Sequence, residues 1–365
     1  MEQKEVDKKI FSMSLALVAV FTVPTLINPE KGVHFLNAVL SFLIVNLGYF
    51  YLWGAFSVFV IVMYLCFSKY GKIKLGDSEP EFSTFSWIGM IFTATAGSSL
   101  VYWGFTEWIY YYTSPPFGME PRSAEAAEWA STYGMYHWGV MGFVIYCLPT
   151  IVLAYAMYVR NLPSIRLSNA CRGVLGDRVD GWVGQLIDVM FMFGIVGGIG
   201  TSLGLGTPML AQGISELTGI PRSYKLDVAI IEMVKIMPLG EGVLLGLFVV
   251  FNFIFLSTTM DSAAYSLAFI SSKASNVNQE PARWISLFWA MVLGAVAIIL
   301  FYGGGLKALQ TLSIITGFPI LLIFIFFVMT IFKWLKEDFP QEIMMPKSVK
   351  DKTSSESLST EKLSA

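Results

Sequence analysis

Charge is scarce in this chain: Asp, Glu, Lys and Arg together make up 14% of its 365 residues, while 55% are hydrophobic. Soluble domains carry about a quarter charged residues, so a water-facing surface of usual extent is excluded. At a net charge of −2 there is no basic field to attract nucleic acid, and none is expected as a partner. Cysteine and histidine are equally sparse. Cys66, Cys147 and Cys171 lie on or beside apolar runs without CxxC or metal-ligand spacing, which leaves packing as their role. His34 and His137 cannot build a zinc site alone, so neither metal nor cofactor is expected. HExxH and paired intramembrane Asp motifs are absent, and the ionisable residues near apolar runs, Glu107, Asp188 and Asp261, are scattered. No catalytic residue is assigned, and an enzyme is not expected.

What is abundant is apolar sequence in runs of about 20 residues or more, the pattern of an all-α, polytopic membrane protein embedded in a lipid bilayer. The first run, 10–28, follows Lys4, Lys8 and Lys9 and lacks a small-residue cleavage site, so it is expected to be a retained span rather than a signal peptide. A turn at 29–33 separates it from a second span, 35–67, long enough to tilt or protrude. Further spans are expected at 85–112, 127–159, 183–217, 243–272, 284–301 and 309–335, which makes about eight. Segment 221–242 is too short and too charged to cross, and the GGG at 303–305 separates the last two spans.

Positive charge sets the orientation. With the N-terminus inside, Arg160, Arg166, Arg172, Arg178, Lys273, Arg283, Lys333 and Lys336 also fall inside, with Lys31, Arg122, Arg222, Lys225 and Lys307 outside. The chain therefore divides into a cytoplasmic N-terminus (1–9), a five-span part (10–220), a junction (221–242), a three-span part (243–335) and a disordered cytoplasmic tail (336–365).

One stretch, FTATAGSSLVYWGFTEWIYYY at 92–112, carries what a lipid-facing helix avoids. Ala96, Gly97, Ser98 and Ser99 mark a break in the helix, with aromatics crowded beside it. Irregular backbone at membrane depth is tolerated only against protein or a water-filled cavity, the usual place for a transported solute. Aromatic faces attract a quaternary ammonium, which cannot donate a hydrogen bond. Tyr111, Tyr112 and Trp129, close to a loop, read as interface anchors. Trp138 lies deeper and fits either an aromatic cage or the core. His137 alone reads as a satisfied core histidine, and Glu107 and Asp188, near span ends, as solvated or snorkelling carboxylates. The glycines of span five, among them Gly194, Gly197, Gly198 and Gly204, read first as helix-packing positions and second as a flexible helix. A second polar knot, Ser257 to Ser262, interrupts the span at 243–272.

Several motifs taken together, PEFST at 80–84, the SxxVYWGxxExxYYY-like run through 98–112, SPPFG at 114–118, HWG at 137–139 and GTSLGLGTPML at 200–210, resemble the betaine/carnitine/choline transporter family, in particular its carnitine/γ-butyrobetaine antiporter branch. The resemblance covers nearly all of 10–220 and again about 231–335. It implies a LeuT-like core of inverted repeats, a homotrimer in a bacterial inner membrane, and movement of trimethylammonium solutes such as L-carnitine, γ-butyrobetaine, glycine betaine or choline by alternating access. It further implies that Tyr110 and Trp138 belong to the cage around the trimethylammonium group, that 96–99 is the unwound substrate helix, and that Thr258 and Thr259 match a sodium-site hydroxyl pair. The residues themselves favour i−4 hydroxyl bonding for those threonines. TATAGSS departs from the glycine-alternating break of the sodium-coupled betaine carriers, which favours the sodium-independent branch.

Against this pattern, the family's Trp-rich WTxxYWxWW segment is nowhere in the chain. The match passes from the start of the family's sixth span, near 226–230, to the region before its tenth, near 231, so about four spans are expected to be missing. Two readings follow: an impaired transporter holding half a cage, or a non-transporting remnant or membrane subunit.

Overall fold

The computed structural model describes residues 5–76, 79–95, 98–162, 164, 166–220, 241–273 and 280–340, and these are helical almost throughout. Helix α1 (Lys8–Ile27) starts where the Asp7 carboxylate accepts from the Ile10 N–H. Asn28 alone separates it from α2 (Pro29–Phe67), capping the Lys31 N–H at 3.0 Å. The expected turn at 29–33 is thus the first turn of α2, because Pro29 needs no N–H at a helix start and fixes φ for it. Gly32 permits the sharp corner: a Cβ there would lie 2.3 Å from the Thr25 backbone.

After a 3-10 turn at Lys69–Lys72 come α3 (Thr84–Thr95) and α4 (Ser98–Thr113). The run at 127–159 is expected to be one helix but is two, α5 (Ala124–His137) and α6 (Val140–Tyr158). Trp138 leaves the helical ψ and Gly139 is extended. The glycines allow the kink to close tightly, since a Cβ on Gly139 would lie 2.5 Å from the Met135 carbonyl and one on Gly142 2.1 Å from that of His137. Two single-turn helices, α7 (Leu167–Ala170) and α8 (Arg172–Leu175), lead to α9 (Trp182–Thr218), which ends on left-handed Gly219. Helix α10 (Glu241–Ile270) and α11 (Arg283–Asp338) complete the described chain.

Among the described residues, six helical segments are long and apolar enough to cross a membrane: Lys8–Ile27, Pro29–Phe67, Ala124–Tyr158 (α5 and α6 together), Trp182–Thr218, Gly242–Ile270 and Arg283–Asp338. The last has 56 residues, about 84 Å of helix, more than twice a bilayer's hydrocarbon core. It kinks at Gly305 (φ 62°, ψ −155°), which separates its two halves. With that division, and with α3 and α4 taken in tandem, the helices supply about eight crossings. The GGG stretch is less a flexible link than a packing site: Cβ atoms on Gly303 and Gly304 would meet Thr25 at 2.3 Å and Val33 at 2.5 Å.

The spine of the molecule is the pairing of α9 with α11. Cβ atoms on Gly194, Gly197 and Gly204 would lie 3.0 Å from Ile320, 2.3 Å from Thr316 and 2.2 Å from Leu309. Small residues let backbones approach where no hydrophobic effect drives helices together, and the close approach lets Thr201 donate to the Leu309 carbonyl at 2.9 Å. Asn252 of α10 donates to the Gly206 carbonyl at 3.0 Å. Around the spine, one core cluster includes Ile10, Leu36, Met192, Leu267 and Trp289, and a second includes Leu148, Tyr155, Cys171, Phe327 and Trp334.

One end of the bundle is clasped by polar contacts. The segment before α1 pairs with the segment after α10 through Asp7 N–H to the Ser271 carbonyl (2.8 Å) and Lys273 N–H to the Glu5 carbonyl (2.7 Å). Arg166 reaches Asp7 at 3.4 Å and donates to the Ser272 carbonyl. Arg160 binds Glu337 and Asp338 at 2.6 and 2.8 Å, and Arg172 holds Asp180 through both oxygens at 2.5 and 2.9 Å. The N-terminus, the arginine-rich loop, the α10 exit and the α11 end therefore share one end of the molecule. Asp188, expected to be solvated, is buried there, accepting from the Ser168 N–H and hydroxyl at 3.1 and 3.0 Å.

Candidate functional site

Helix α4 presents Trp103, Glu107, Tyr110 and Tyr111 at helical spacing, and these four, with Ser114 just past its end, line one cavity of about 860 Å³. The kink between α5 and α6 brings His137, Trp138 and Tyr146 to it, and α9 and α11 close it with Ile199, Thr201, Ser202, Gln310 and Ser313. Tyr110 and Trp138 thus share this cavity, and both rings are partly exposed, at 52% and 38%. Trp103 packs against Tyr110 with ring centroids 5.9 Å apart.

Glu107 organises the wall. Its side chain is only 12% exposed; one carboxylate oxygen lies 2.6 Å from His137 Nδ1 and the other accepts the Trp138 indole N–H at 2.5 Å. The Tyr111 hydroxyl also lies 3.3 Å from His137 Nδ1, and the Tyr111 ring stacks on Tyr133 at 4.7 Å. The expected snorkelling carboxylate is therefore a bonded one, and His137 is its partner. Tyr111 joins the cavity wall as well as standing close to the loop, Tyr112 donates to the Arg122 carbonyl, and Trp129 packs edge-on to Phe117. The sequence alone reads Glu107 as a solvated or snorkelling carboxylate and gives Trp103 and Tyr146 no place in the site. The spacing 103, 107, 110, 111, 114 was the available signal, since those positions fall on one face of a helix.

The other assigned residues lie elsewhere. Ala96 and Gly97 are outside the described residues, and Ser98 and Ser99 open α4. Thr258 and Thr259 line a second, mostly apolar cavity of about 990 Å³ between α2, α9, α10 and α11, with Ser262 and Ser266 beside them. The Thr258 hydroxyl donates back into its own helix, to the Ile254 and Phe255 carbonyls at 2.9 and 3.2 Å. The two cavities meet at Gly198, Ile199 and Ser313, which line both. Unlike its neighbour Gly197, Gly198 faces open space.

In chemical terms, the first cavity offers aromatic faces, one carboxylate and neutral hydroxyl and amide groups. Among its described lining residues there is no Lys or Arg. Such a wall suits a cation that cannot donate hydrogen bonds, attracted by ring quadrupoles and by a nearby negative charge.

A helical membrane protein with an aromatic, anionic cavity between its helices has the character of a solute carrier, and comparison with known families agrees. The chain belongs to the BCCT family, the betaine/carnitine/choline family transporters, whose model matches residues 9–237 and, in a second piece, 222–340. It is a transporter-family protein rather than an enzyme. It is 36% identical over 237 residues to a probable glycine betaine transporter of Desulfitobacterium hafniense (strain Y51), covering 63% of this chain and 47% of that protein. It is 39% identical over 183 residues to a carnitine transporter of Acinetobacter baumannii, covering 50% and 33%, and 39% identical over 171 residues to the uncharacterized transporter YeaV of Escherichia coli (strain K12), covering 47% and 36%. The chain thus spans about half or less of the length of these curated relatives.

Proposed function

We propose that the chain binds a trimethylammonium solute of the carnitine, γ-butyrobetaine, glycine betaine or choline type in the cavity between α4, the α5–α6 kink and α9, as one wall of a secondary transporter's site. The observation that carries this reading is the shared cavity of Tyr110 and Trp138, with Glu107 fixing the indole. The trimethylammonium group sits against the two aromatic faces. The antiporter branch, alternating access, a homotrimer and an inner membrane with both termini cytoplasmic follow from the family resemblance. The arginine-rich clasped end supports that orientation.

Transport by this chain alone is weak or absent. The opposite wall of the cage is not encoded, and the two-piece family match and partial coverage of each relative support a loss of about four internal spans. Asp261 favours the second reading, a remnant or subunit that pairs with another chain: it is exposed on apolar α10, and its carboxylate has no partner among the described residues.

Quenching of tryptophan fluorescence by L-carnitine or glycine betaine, measured in detergent and lost on Trp138→Ala, is the expected result. Unchanged quenching in that variant removes Trp138 from the site. Exchange of labelled carnitine by proteoliposomes, at the rate of a full-length family member, overturns the claim of impairment.

A further inference from the structure

The geometry points to Glu107 as a positioning residue that makes the Trp138 ring selective for cations, with His137 holding the carboxylate in place. The inference rests on the reading of Trp138 as a cage aromatic and concerns how that ring is tuned. Three observations carry it. The carboxylate bonds the indole N–H at 2.5 Å and His137 Nδ1 at 2.6 Å, so both of its oxygens are engaged and its plane is fixed. Its side chain is 12% exposed whereas Trp138 is 38% exposed, so the carboxylate sits at the edge of the ring and the ring leaves more surface open than the carboxylate does. Both residues line the same space as Tyr110, which contributes no charge of its own.

The physical consequence is twofold. A hydrogen bond from an indole N–H to an anion pushes electron density into the ring and makes its face more negative, which strengthens attraction for a cation above it. The anion's own field acts in the same direction, and in a partly desolvated cavity it is screened less than in water. The bond also holds the indole at the kink, where Trp138 has left the helix and its backbone constrains it less. His137 fixes the second oxygen and keeps the carboxylate from turning away toward solvent.

The test uses two probes of matched shape: choline, a trimethylammonium cation, and 3,3-dimethylbutanol, in which carbon replaces the charged nitrogen. Binding is read by tryptophan fluorescence in detergent for the wild type, Glu107→Gln, Glu107→Ala and Trp138→Ala. Glu107→Gln keeps an oxygen for the indole N–H and removes the charge. It is expected to lower choline affinity by about tenfold while leaving dimethylbutanol affinity within about twofold. Glu107→Ala, which also frees the ring, is expected to weaken both probes. A merely structural glutamate predicts parallel losses for the two probes in Glu107→Gln, and that result overturns the inference. So does an unchanged ratio between the probes.

The failure of the underlying reading looks different. If the wild type shows no preference for choline over its neutral isostere, or Trp138→Ala keeps that preference, the cage itself is wrong. A vibrational marker of indole N–H bonding supplies an independent check. The Trp138 component, isolated by subtracting the spectrum of Trp138→Phe, is expected to report a strong hydrogen bond that weakens in Glu107→Gln. A free N–H in the wild type overturns the inference irrespective of any ligand.

Discussion

The two ends of this bundle treat polar side chains in opposite ways. At the clasped end they are spent on one another: Arg160 on Glu337 and Asp338, Arg166 on Asp7, Arg172 on Asp180, and Asp188 on Ser168. Around α4, the α5–α6 kink, α9, α10 and α11 they face open cavities, and the pairing of Glu107 with His137 and Trp138 leaves its aromatic partner partly exposed. Polar groups satisfied within the chain hold a fold together, whereas polar and aromatic groups turned toward a cavity have surface left for something else. The first end is closed largely on itself, and the second, in the proposed reading, is one wall of a site.

The largest expected effect separates the two cavities. Trp138→Ala is expected to reduce trimethylammonium binding by at least about tenfold, because it removes a face of the proposed cage. Thr258→Val and Thr259→Val, in the second cavity, are expected to leave binding within about twofold, and added sodium is expected to change it no more than that. Fluorescence titration with and without sodium checks all of these. A sodium-dependent affinity lost in Thr258→Val would reunite the two cavities as one functional site.

Much of this contrast was legible in the sequence, but unevenly. Long apolar runs gave the helices, the glycines of α9 gave the seam, and Tyr110 and Trp138 came from motif resemblance. What periodicity could not supply was pairing across distance. Glu107 meets residues 30 and 31 positions further on, through a kink at Trp138 and Gly139 that an unbroken apolar pattern conceals. Asp188 read as a solvated carboxylate because its partner, Ser168, lies on another element 20 residues earlier. A short turn at 29–33 was expected because Pro and Gly punctuate loops, yet the same residues serve a helix start and a close helix contact.

A second, smaller effect concerns the clasped end. Asp188→Ala strands the Ser168 donors and leaves Arg166 without its buried neighbour, at a cost of about 2–4 kcal/mol. Unfolding in mild detergent is expected at distinctly lower temperature, while the cation-to-isostere preference of the surviving folded protein stays at the wild-type value. A changed preference would mean that the two ends are coupled.

Smaller again is a paired substitution on the seam. Gly197→Ala places a methyl 2.3 Å from the Thr316 hydroxyl oxygen and is expected to cost about 1–3 kcal/mol. Gly198→Ala, one residue on, points into open space where both cavities meet, and is expected to change stability by no more than about 0.5 kcal/mol. Equal melting shifts in the two variants would show that the seam is not packed as described.

The smallest expected signal is a silence at the clasped end. Cys171 is fully buried between α7 and α8, and burial, with a lesser push from the Asp188 charge, raises its thiol to about 12. Because the folded value lies above the ordinary one, the reactive thiolate is suppressed throughout the neutral range and grows only as pH rises toward 12. At pH 8 about one thiol in ten thousand is ionised, roughly a thousandfold fewer than for an ordinary cysteine. Maleimide treatment of the folded protein at pH 8, followed by mass spectrometry, is expected to leave Cys171 unlabelled, with full labelling after denaturation. Labelling of folded protein at the denatured rate would mean that the arginine-rich loop opens readily, and the contrast between a closed end and an open one would fail at its firmest point.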